Sequence, residues 1–275
     1  MHVSGAALAN TTYYKLYINA GIYTAVDGAQ FASAAFNFDP NFTAENARLT
    51  AEAGDTLVIK VINTDSNQHG FTIQGQGTGL VVDAGDSSSI SAVFTKTNTA
   101  FIYYDHLLYP ANRALGLAGV IHVASSTAST FYWNMKEFQK DWADDHASGN
   151  AVDWSNYYPD YFTVNGRSNP QINDDPAARV TGKVNEIIHI VISNTGQSVH
   201  SIHLHGYHAE IIHSSANPGH VGRSKDTFPI QSMQTLILEM IPDKIGEYPA
   251  HDHNLVAVSA GGIYPNGMFL TMLIQ

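Results

Sequence analysis

The sequence contains the stretch Gly54-Asp55-Thr56-Leu57-Val58-Ile59-Lys60-Val61-Ile62-Asn63-Thr64, and 131 residues later it contains Asn185-Glu186-Ile187-Ile188-His189-Ile190-Val191-Ile192-Ser193-Asn194-Thr195. Each stretch begins with residues that favour a turn and continues with the apolar residues of a β-strand. At the same offset, His69 corresponds to His200, so the similarity extends beyond the two strands. This repeat predicts two domains of similar topology.

The rest of the chain is typical of β-sandwiches, because short apolar stretches alternate with Gly, Asn, Asp and Pro turns. We predict an all-β fold of two Greek-key β-sandwich domains in tandem, at residues 1–124 and 125–275. The stretch 124–130, rich in Ser and Thr, is the predicted linker. Residues 134–146, with Met135, Phe138 and Trp142, are predicted to form a short amphipathic helix or an arm over the second sandwich.

The composition indicates a folded protein and excludes several kinds of partner. Apolar residues make up 44% and aromatic residues 11%, enough for a large core. A net charge of −11 leaves no basic surface for nucleic acid or for an anionic membrane. No stretch approaches the roughly 18 apolar residues of a membrane span. Since the chain has no cysteine, disulfides, thiolate metal sites and cysteine nucleophiles are excluded.

Histidines are concentrated late in the sequence, where nine of the 14 lie between His189 and His253. Side chains two residues apart on a strand point the same way, so His203 pairs with His205, and His251 pairs with His253. Two such pairs on neighbouring strands bring together four imidazoles, which suit Cu, Zn, Fe or Ni. We predict that these four side chains form one metal site; hydrogen-bonded core histidines are the alternative.

These motifs resemble those of the cupredoxin-type copper enzymes over nearly the whole chain. His200-Ser201-Ile202-His203-Leu204-His205-Gly206 resembles the His-x-x-His-x-His-Gly motif in the last domain of multicopper oxidases (laccases). His251-Asp252-His253, with the later Gly267-Met268, resembles their His-Cys-His and distal Gly-Met. Residues 161–167 and 253–255 are similar to two-domain copper nitrite reductases. The resemblance implies two cupredoxin-like domains, His253 as a type 2 copper ligand, and His203 as a ligand or as the proton-handling histidine beside it.

The chain also departs from these families at several ligand positions. Asp105 and Asp252 stand at the two type 1 cysteine positions, and Ala257 stands at a type 1 histidine position. Thr72, Gln74 and Tyr104 stand at first-domain copper-ligand positions. Five of the eight histidines of a laccase trinuclear cluster are kept: His106, His203, His205, His251 and His253. The resemblance therefore implies one or two metal ions rather than three.

The two aspartates need partners if they are buried. We predict that Asp252 pairs with His200, and Asp105 with His69, as carboxylate–imidazole contacts that fill the vacated type 1 positions. The alternative is a thiolate-free metal site in each domain, for which two ligands are too few without water or backbone atoms.

The resemblance implies a periplasmic or extracellular homotrimer with its metal site between subunits, and the sequence start shows no signal peptide, which we expect to have been removed. The leading hypothesis is a copper oxidoreductase that lacks type 1 copper, with a small-molecule substrate or O₂ reacting directly at type 2-like copper. Tyr104 and His106 would border the site, and Tyr207 and His208 would supply protons. The alternatives are a hydrolase or lyase that uses zinc or copper as a Lewis acid, and a non-catalytic metal-binding relative. Nitrite reduction is disfavoured because the electron relay is missing.

Overall fold

A computed structural model describes residues 9–125 and 128–275 of the chain, and it is built mainly of β-strands. The elements of the first half are β1 (Thr11–Thr24), β2 (Gln30–Asn37), β3 (Leu49–Ala51), β4 (Thr56–Asn63), β5 (His69–Ile73), β6 (Leu80–Val82), β7 (Ser87–Val93), β8 (Thr99–Tyr104), α1 (Ala111–Leu115) and β9 (Ala118–Val123). The elements of the second half are β10 (Ser129–Phe138), α2 (Lys140–Ala147), β11 (Tyr161–Val164), β12 (Thr181–Gly182), β13 (Ile188–Asn194), β14 (His200–Leu204), β15 (Ala209–Ser214), β16 (Ser224–Lys225), β17 (Thr227–Ile230), β18 (Gln234–Met240), β19 (Gly246–Asp252) and β20 (Phe269–Ile274). Four short 3-10 turns complete the second half as described: Trp154–Asn156, Gln171–Asp174, Pro218–His220 and Leu255–Val258.

The strands form four sheets, two in each half of the chain. The first half contains the sheets β2-β1-β4-β7 and β3-β9-β8-β5-β6, and the second half contains β11-β10-β13-β18-β15-β16 and β12-β20-β19-β14-β17. Many neighbours in a sheet are distant in sequence, as β1 is from β4, so the chain crosses repeatedly between the two sheets of each half. The predicted all-β fold is confirmed. The boundary after residue 124 stays a proposal, and part of the predicted linker lies outside the described residues.

The two repeated stretches become β4 and β13, which occupy equivalent places in the two sandwiches. In β4, Leu57, Ile59 and Val61 point into the core, and Lys60 between them is exposed. In β13 every residue is buried, because the outer face of this strand packs against the first half of the chain.

The predicted helix at residues 134–146 is wrong in its first part. Residues up to Phe138 belong to β10, and the helix α2 begins only at Lys140. Trp133 and Met135 point into the second core, while Asn134 and Lys136 face the first half of the chain and bond its backbone carbonyls. The polar side chains of this strand are therefore buried in an interface rather than exposed on a helix.

The described residues include no helix that is long and apolar enough to cross a membrane.

Candidate metal centre

Strands β14 and β19 lie side by side and run antiparallel, and this pairing brings near one another the four histidines predicted from the sequence as metal ligands. His203 stands directly opposite His251 in the register. The ring centroids of His203 and His205 are 4.6 Å apart, and those of His205 and His251 are 5.1 Å apart. His253 lies two residues after His251, and its ring centroid is 5.5 Å from that of His203. We call these four side chains the histidine cluster.

The Nδ1 hydrogen bonds of two cluster members fix the same tautomer in both rings. The Nδ1–H of His251 donates to the carbonyl oxygen of Asp252 at 2.8 Å. The hydroxyl of Thr227 donates to Asp226 at 2.9 Å, so its oxygen accepts from the Nδ1–H of His203, also at 2.9 Å. Each imidazole then carries its lone pair on Nε2. A protein partner on one ring nitrogen commonly fixes the tautomer of a metal-binding histidine in this way.

The cluster matches the chemistry of a transition-metal ion. The Nε2 atoms of His205 and His251 are 3.0 Å apart, which is close to the roughly 3 Å expected between two nitrogens that each lie about 2.0–2.1 Å from one metal. Burial and the charges of His203 and His251 lower the pKa of His205, which favours the neutral, ligating form. Across residues 9–125 and 128–275, no three His, Asp or Glu side chains are already gathered around one point. Binding by three histidines therefore requires a rotation of His203 or His253 toward the 205–251 pair.

An open cavity of about 570 Å³ leads to the cluster. Its wall includes His203, His205 and the exposed His208, together with Asp226 and Lys244. The size suits a small molecule, and the lining is rich in groups that exchange protons.

Behind the cluster lies a buried chain of three ionisable side chains, Glu137, His200 and Asp252, which we call the His200 network. The Nδ1 atom of His200 is 2.5 Å from Asp252 Oδ2, and its Nε2 atom is 3.1 Å from Glu137 Oε2. Burial opposes a charge on His200, but hydrogen bonds to the two carboxylates raise its pKa to about 9. His200 is therefore an imidazolium cation between two anions at neutral pH.

Backbone donors complete this network. Asp252 Oδ1 accepts from the backbone N–H of Ser201 and of Asn254. Glu137 Oε1 accepts from the backbone N–H of Gln197 and Ser198, at 2.5 and 2.6 Å. Burial opposes the charge of Glu137, yet His200 and these backbone donors lower the pKa of its carboxyl to about 2. Every charge in the network is thus paired.

The first half contains an equivalent arrangement, the His69 network, formed by Asp65, His69 and Asp105. His69 Nδ1 is 2.7 Å from Asp105 Oδ2, and His69 Nε2 is 2.8 Å from Asp65 Oδ2. Burial opposes the charge, but the two carboxylates raise the pKa of His69. Asp105 Oδ1 accepts from the backbone N–H of Gly70 and Leu107. The predicted Asp–His contacts are therefore present in both halves of the chain.

The first-half candidates lie apart from the cluster within one chain. The His106 ring lies beside Gly70 and Gly79, and its Nδ1 atom is buried without a partner. Tyr104 is half-buried, with its ring 6.0 Å from that of Tyr109. Among the described residues, no hydrogen bond or ring contact joins His106 or Tyr104 to the four second-half histidines. Tyr207 is buried, and its hydroxyl donates to the carbonyl of Lys244, so it is less available than His208 for proton transfer.

Sequence reasoning missed Glu137, Thr227 and Asp226. Glu137 comes from β10, far from His200 in sequence, and no motif marks it. Thr227 reaches His203 because β17 pairs with β14 and places these two residues opposite each other. This contact could have been predicted only if β17 had been recognised as the neighbour of β14 in the sheet.

Residues 145–266 match the family model for multicopper oxidases. Solved structures with a similar fold include a blue copper oxidase from Nitrosomonas europaea, at 19% identity and a TM-score of 0.83, over 96% of this chain and 86% of that one. They also include a copper nitrite reductase from Nitrosomonas europaea, at 16% identity and a TM-score of 0.76, over 97% and 94% of the two chains. A laccase from Botrytis aclada matches at 15% identity and a TM-score of 0.73, over 97% of this chain and 53% of the laccase. No curated protein is significantly similar in sequence.

The chain has the two-domain cupredoxin fold of these copper proteins. The predicted resemblance to multicopper oxidases is confirmed by the family match over residues 145–266, and the similarity to copper nitrite reductases is one of fold. The matched region begins at residue 145 and includes the whole histidine cluster.

Proposed function

We propose that this chain is a copper-binding oxidoreductase without type 1 copper, in which O₂ or a small-molecule substrate reacts directly at a type 2-like centre of one or two ions. The observation that carries the proposal is the histidine cluster, in which His203 and His251 carry their lone pair on Nε2 and the Nε2 atoms of His205 and His251 are 3.0 Å apart. Copper would supply one-electron redox chemistry at this position.

The protein's own side chains would bind the metal, orient the ligating rings and move protons. His203, His205, His251 and His253 hold the metal, and the Thr227 hydroxyl and the Asp252 carbonyl keep two of these rings in the ligating tautomer. His203 also lies at the cavity wall, where it is the candidate to move a proton if it is not a ligand. His208, exposed at the cavity mouth, exchanges protons with solvent.

The absence of cysteine supports a site that receives electrons directly. With Asp252 and His200 paired, the position next to the cluster is filled by an ion pair rather than by a thiolate copper. No distant donor can then pass electrons through this route, so the reductant must itself reach the cavity. For the same reason we do not propose nitrite reduction.

A homotrimer would complete the site. Tyr104 and His106 are remote from the cluster in one chain, and the fifth histidine would join it if the first domain of a neighbouring subunit faced the second domain of this one. We propose this arrangement, in a periplasmic or extracellular protein. Light scattering on the purified chain should give about three times the 29.8 kDa of one subunit; a monomeric protein that still binds copper fully through its own residues would rule it out.

A zinc or copper hydrolase or lyase is the second candidate. It is favoured by the Asp226 carboxylate in the cavity wall, because a carboxylate beside a metal-bound water serves as a general base in such sites. Stoichiometric zinc would support it, and absence of any metal would support a non-catalytic relative.

Metal analysis with EPR on protein purified without added metal separates these functions. We expect a type 2 Cu(II) signal, without the intense visible colour of a copper–thiolate site. The double variant H205A/H251A should lose the signal and the bound copper, while H220A, which changes a histidine outside the cluster, should keep both. Full copper occupancy in the double variant would contradict the proposal.

A further inference from the structure

The two domains meet along the outer face of the β10-β13-β18-β15 sheet. Val191 and Ile237 from this sheet pack against Ala100 and Val120 on β8 and β9 of the first domain. The hydroxyl of Thr235 donates to the carbonyl of Ala100 across the same surface. This contact is a small apolar core, separate from the cores of the two sandwiches.

Three histidines lie at this contact, and none of them belongs to the metal centre. His122 on β9 is 1% exposed, and His189 on β13 is 3% exposed. His213 on β15 stands opposite Ile237 in the register, and its Nε2 atom is 3.2 Å from Thr235 Oγ1. We call them the interface histidines.

The interface histidines have few partners for a positive charge. His122 Nδ1 is 3.1 Å from the hydroxyl of Tyr132, and its Nε2 atom is buried without a partner. His189 Nε2 is 3.1 Å from Glu239 Oε2, and its Nδ1 atom is also buried without a partner. By contrast, His200 and His69 each lie between two carboxylates.

The other charged and titratable groups around this contact do not supply the missing anion. Glu239 on β18 is about one third exposed and contacts His189, not His122. Arg48 lies 5.6 Å from the Tyr132 ring of β10, and Lys96 opposes a charge on His213. Among the described residues, no carboxylate oxygen is bonded to His122. Burial, together with the charges of His189 and His213, lowers the pKa of His122 to about 4.

We propose that the domain contact is an acid-sensitive latch, which is closed while His122 is uncharged and opens when His122 takes up a proton. A histidine exposed by separation of the domains has a pKa near 6.5. Because the pKa of His122 in the closed state lies below this value, the open state binds more protons between the two pKa values. The closed contact therefore has its full stability above about pH 6.5 and becomes progressively less stable as the pH falls toward 4.

Amide hydrogen exchange on metal-free protein tests this latch without reference to activity. We expect the opening of β8 (Thr99–Tyr104) and β9 (Ala118–Val123), corrected for intrinsic exchange, to increase at least about tenfold between pH 7.5 and pH 5. In H122N, which keeps a polar group near Tyr132 but does not titrate, the increase should fall below about threefold. The control H220N, outside the contact, should behave as the wild type.

Two results would overturn the proposal. One is an equal pH response in H122N and wild type. The other comes from NMR of the wild-type imidazoles, which keeps the test valid if H122N does not fold: His122 titrating near 6.5 while β8 and β9 remain protected would show that its protonation is compatible with the closed contact. Both measurements are independent of copper, so they would give the same result even if the histidine cluster carried out no copper chemistry.

Discussion

At the scale of single residues, the decisive feature is an aspartate at each of the two positions where the copper-protein motifs that the sequence resembles have cysteine. Asp105 and Asp252 share one pattern of contacts: one oxygen accepts two backbone N–H groups, and the other bonds a histidine. Asp105 Oδ2 also accepts from the Asn112 amide. The sequence predicted both Asp–His contacts because the repeat aligns the two pairs. It did not predict Glu137 or Asp65 as second partners, since these contacts depend on how β10 and the loop after β4 pack.

Removal of Asp252 should destabilise the protein strongly. D252A leaves the buried His200 cation with only one partner, and we expect a loss of about 3–5 kcal/mol in the free energy of unfolding. Urea denaturation of metal-free protein measures this loss. The control D141A removes a carboxylate whose side chain is 87% exposed, and it should change stability by less than about 1 kcal/mol. A loss of similar size in both variants would show that the His200 network is not a stabilising unit.

At the scale of elements, β10 shows where sequence reasoning failed and why. Met135, Phe138 and Trp142 have the spacing of one helix face, but residues 131–136 also alternate in the manner of a strand. These residues form a strand because β10 pairs with β11 on one side and with β13 on the other. No local sequence pattern reveals these two partners. By contrast, β14 and β19 were predictable, since the alternation at their histidines is matched by the burial of their residues.

The buried ammonium of Lys136 on β10 should make stability depend on pH. Burial, assisted by the charge of Arg113, lowers the pKa of Lys136 to about 7, below its ordinary 10.5. Between these two values the unfolded chain binds more protons than the folded one, so this residue increases stability as the pH rises from about 7 toward 10. From pH 7 to pH 9, wild type should gain about 2 kcal/mol relative to K136M in urea denaturation. Parallel pH profiles for the two proteins would exclude an uncharged Lys136 in the folded state.

At the scale of the whole molecule, the two domains are joined by polar contacts as well as by the apolar interface. Arg113, on α1 of the first domain, is fully buried and donates through Nη1 to the carbonyls of Thr195 and Gly196 and to the Ser232 hydroxyl of the second. Its guanidinium also lies 5.1 Å from the Tyr109 ring. The repeat predicted two domains but carried no signal for their contact, because the residues involved are scattered along the chain.

Loss of Arg113 should uncouple the unfolding of the two domains. We expect R113M to lose about 2–4 kcal/mol, because the buried Thr195 carbonyl loses its side-chain donor and the Gly196 carbonyl keeps only the Ser232 hydroxyl. Trp133 is buried in the second core, whereas Trp142 and Trp154 lie beside Ala111 and Leu115 of the first half. In a W142F/W154F background, fluorescence therefore reports the second domain while far-ultraviolet circular dichroism reports both. The two transitions should coincide in wild type and separate in R113M. The control R179M, which breaks an exposed ion pair with Glu247, should leave them coincident; separation there too would refute the role of Arg113.

The two aspartate networks also bear on the order in which the protein matures. In many metalloproteins the ligands come together only when the ion arrives, so metallation and folding are one event. Here the strands that carry the histidine cluster are held together by contacts among His200, Asp252 and Glu137. These side chains belong to the polypeptide itself, so the contacts do not depend on a metal ion. The chain can therefore complete its fold first and accept its ion last, and the ion can be exchanged without dismantling the scaffold around it.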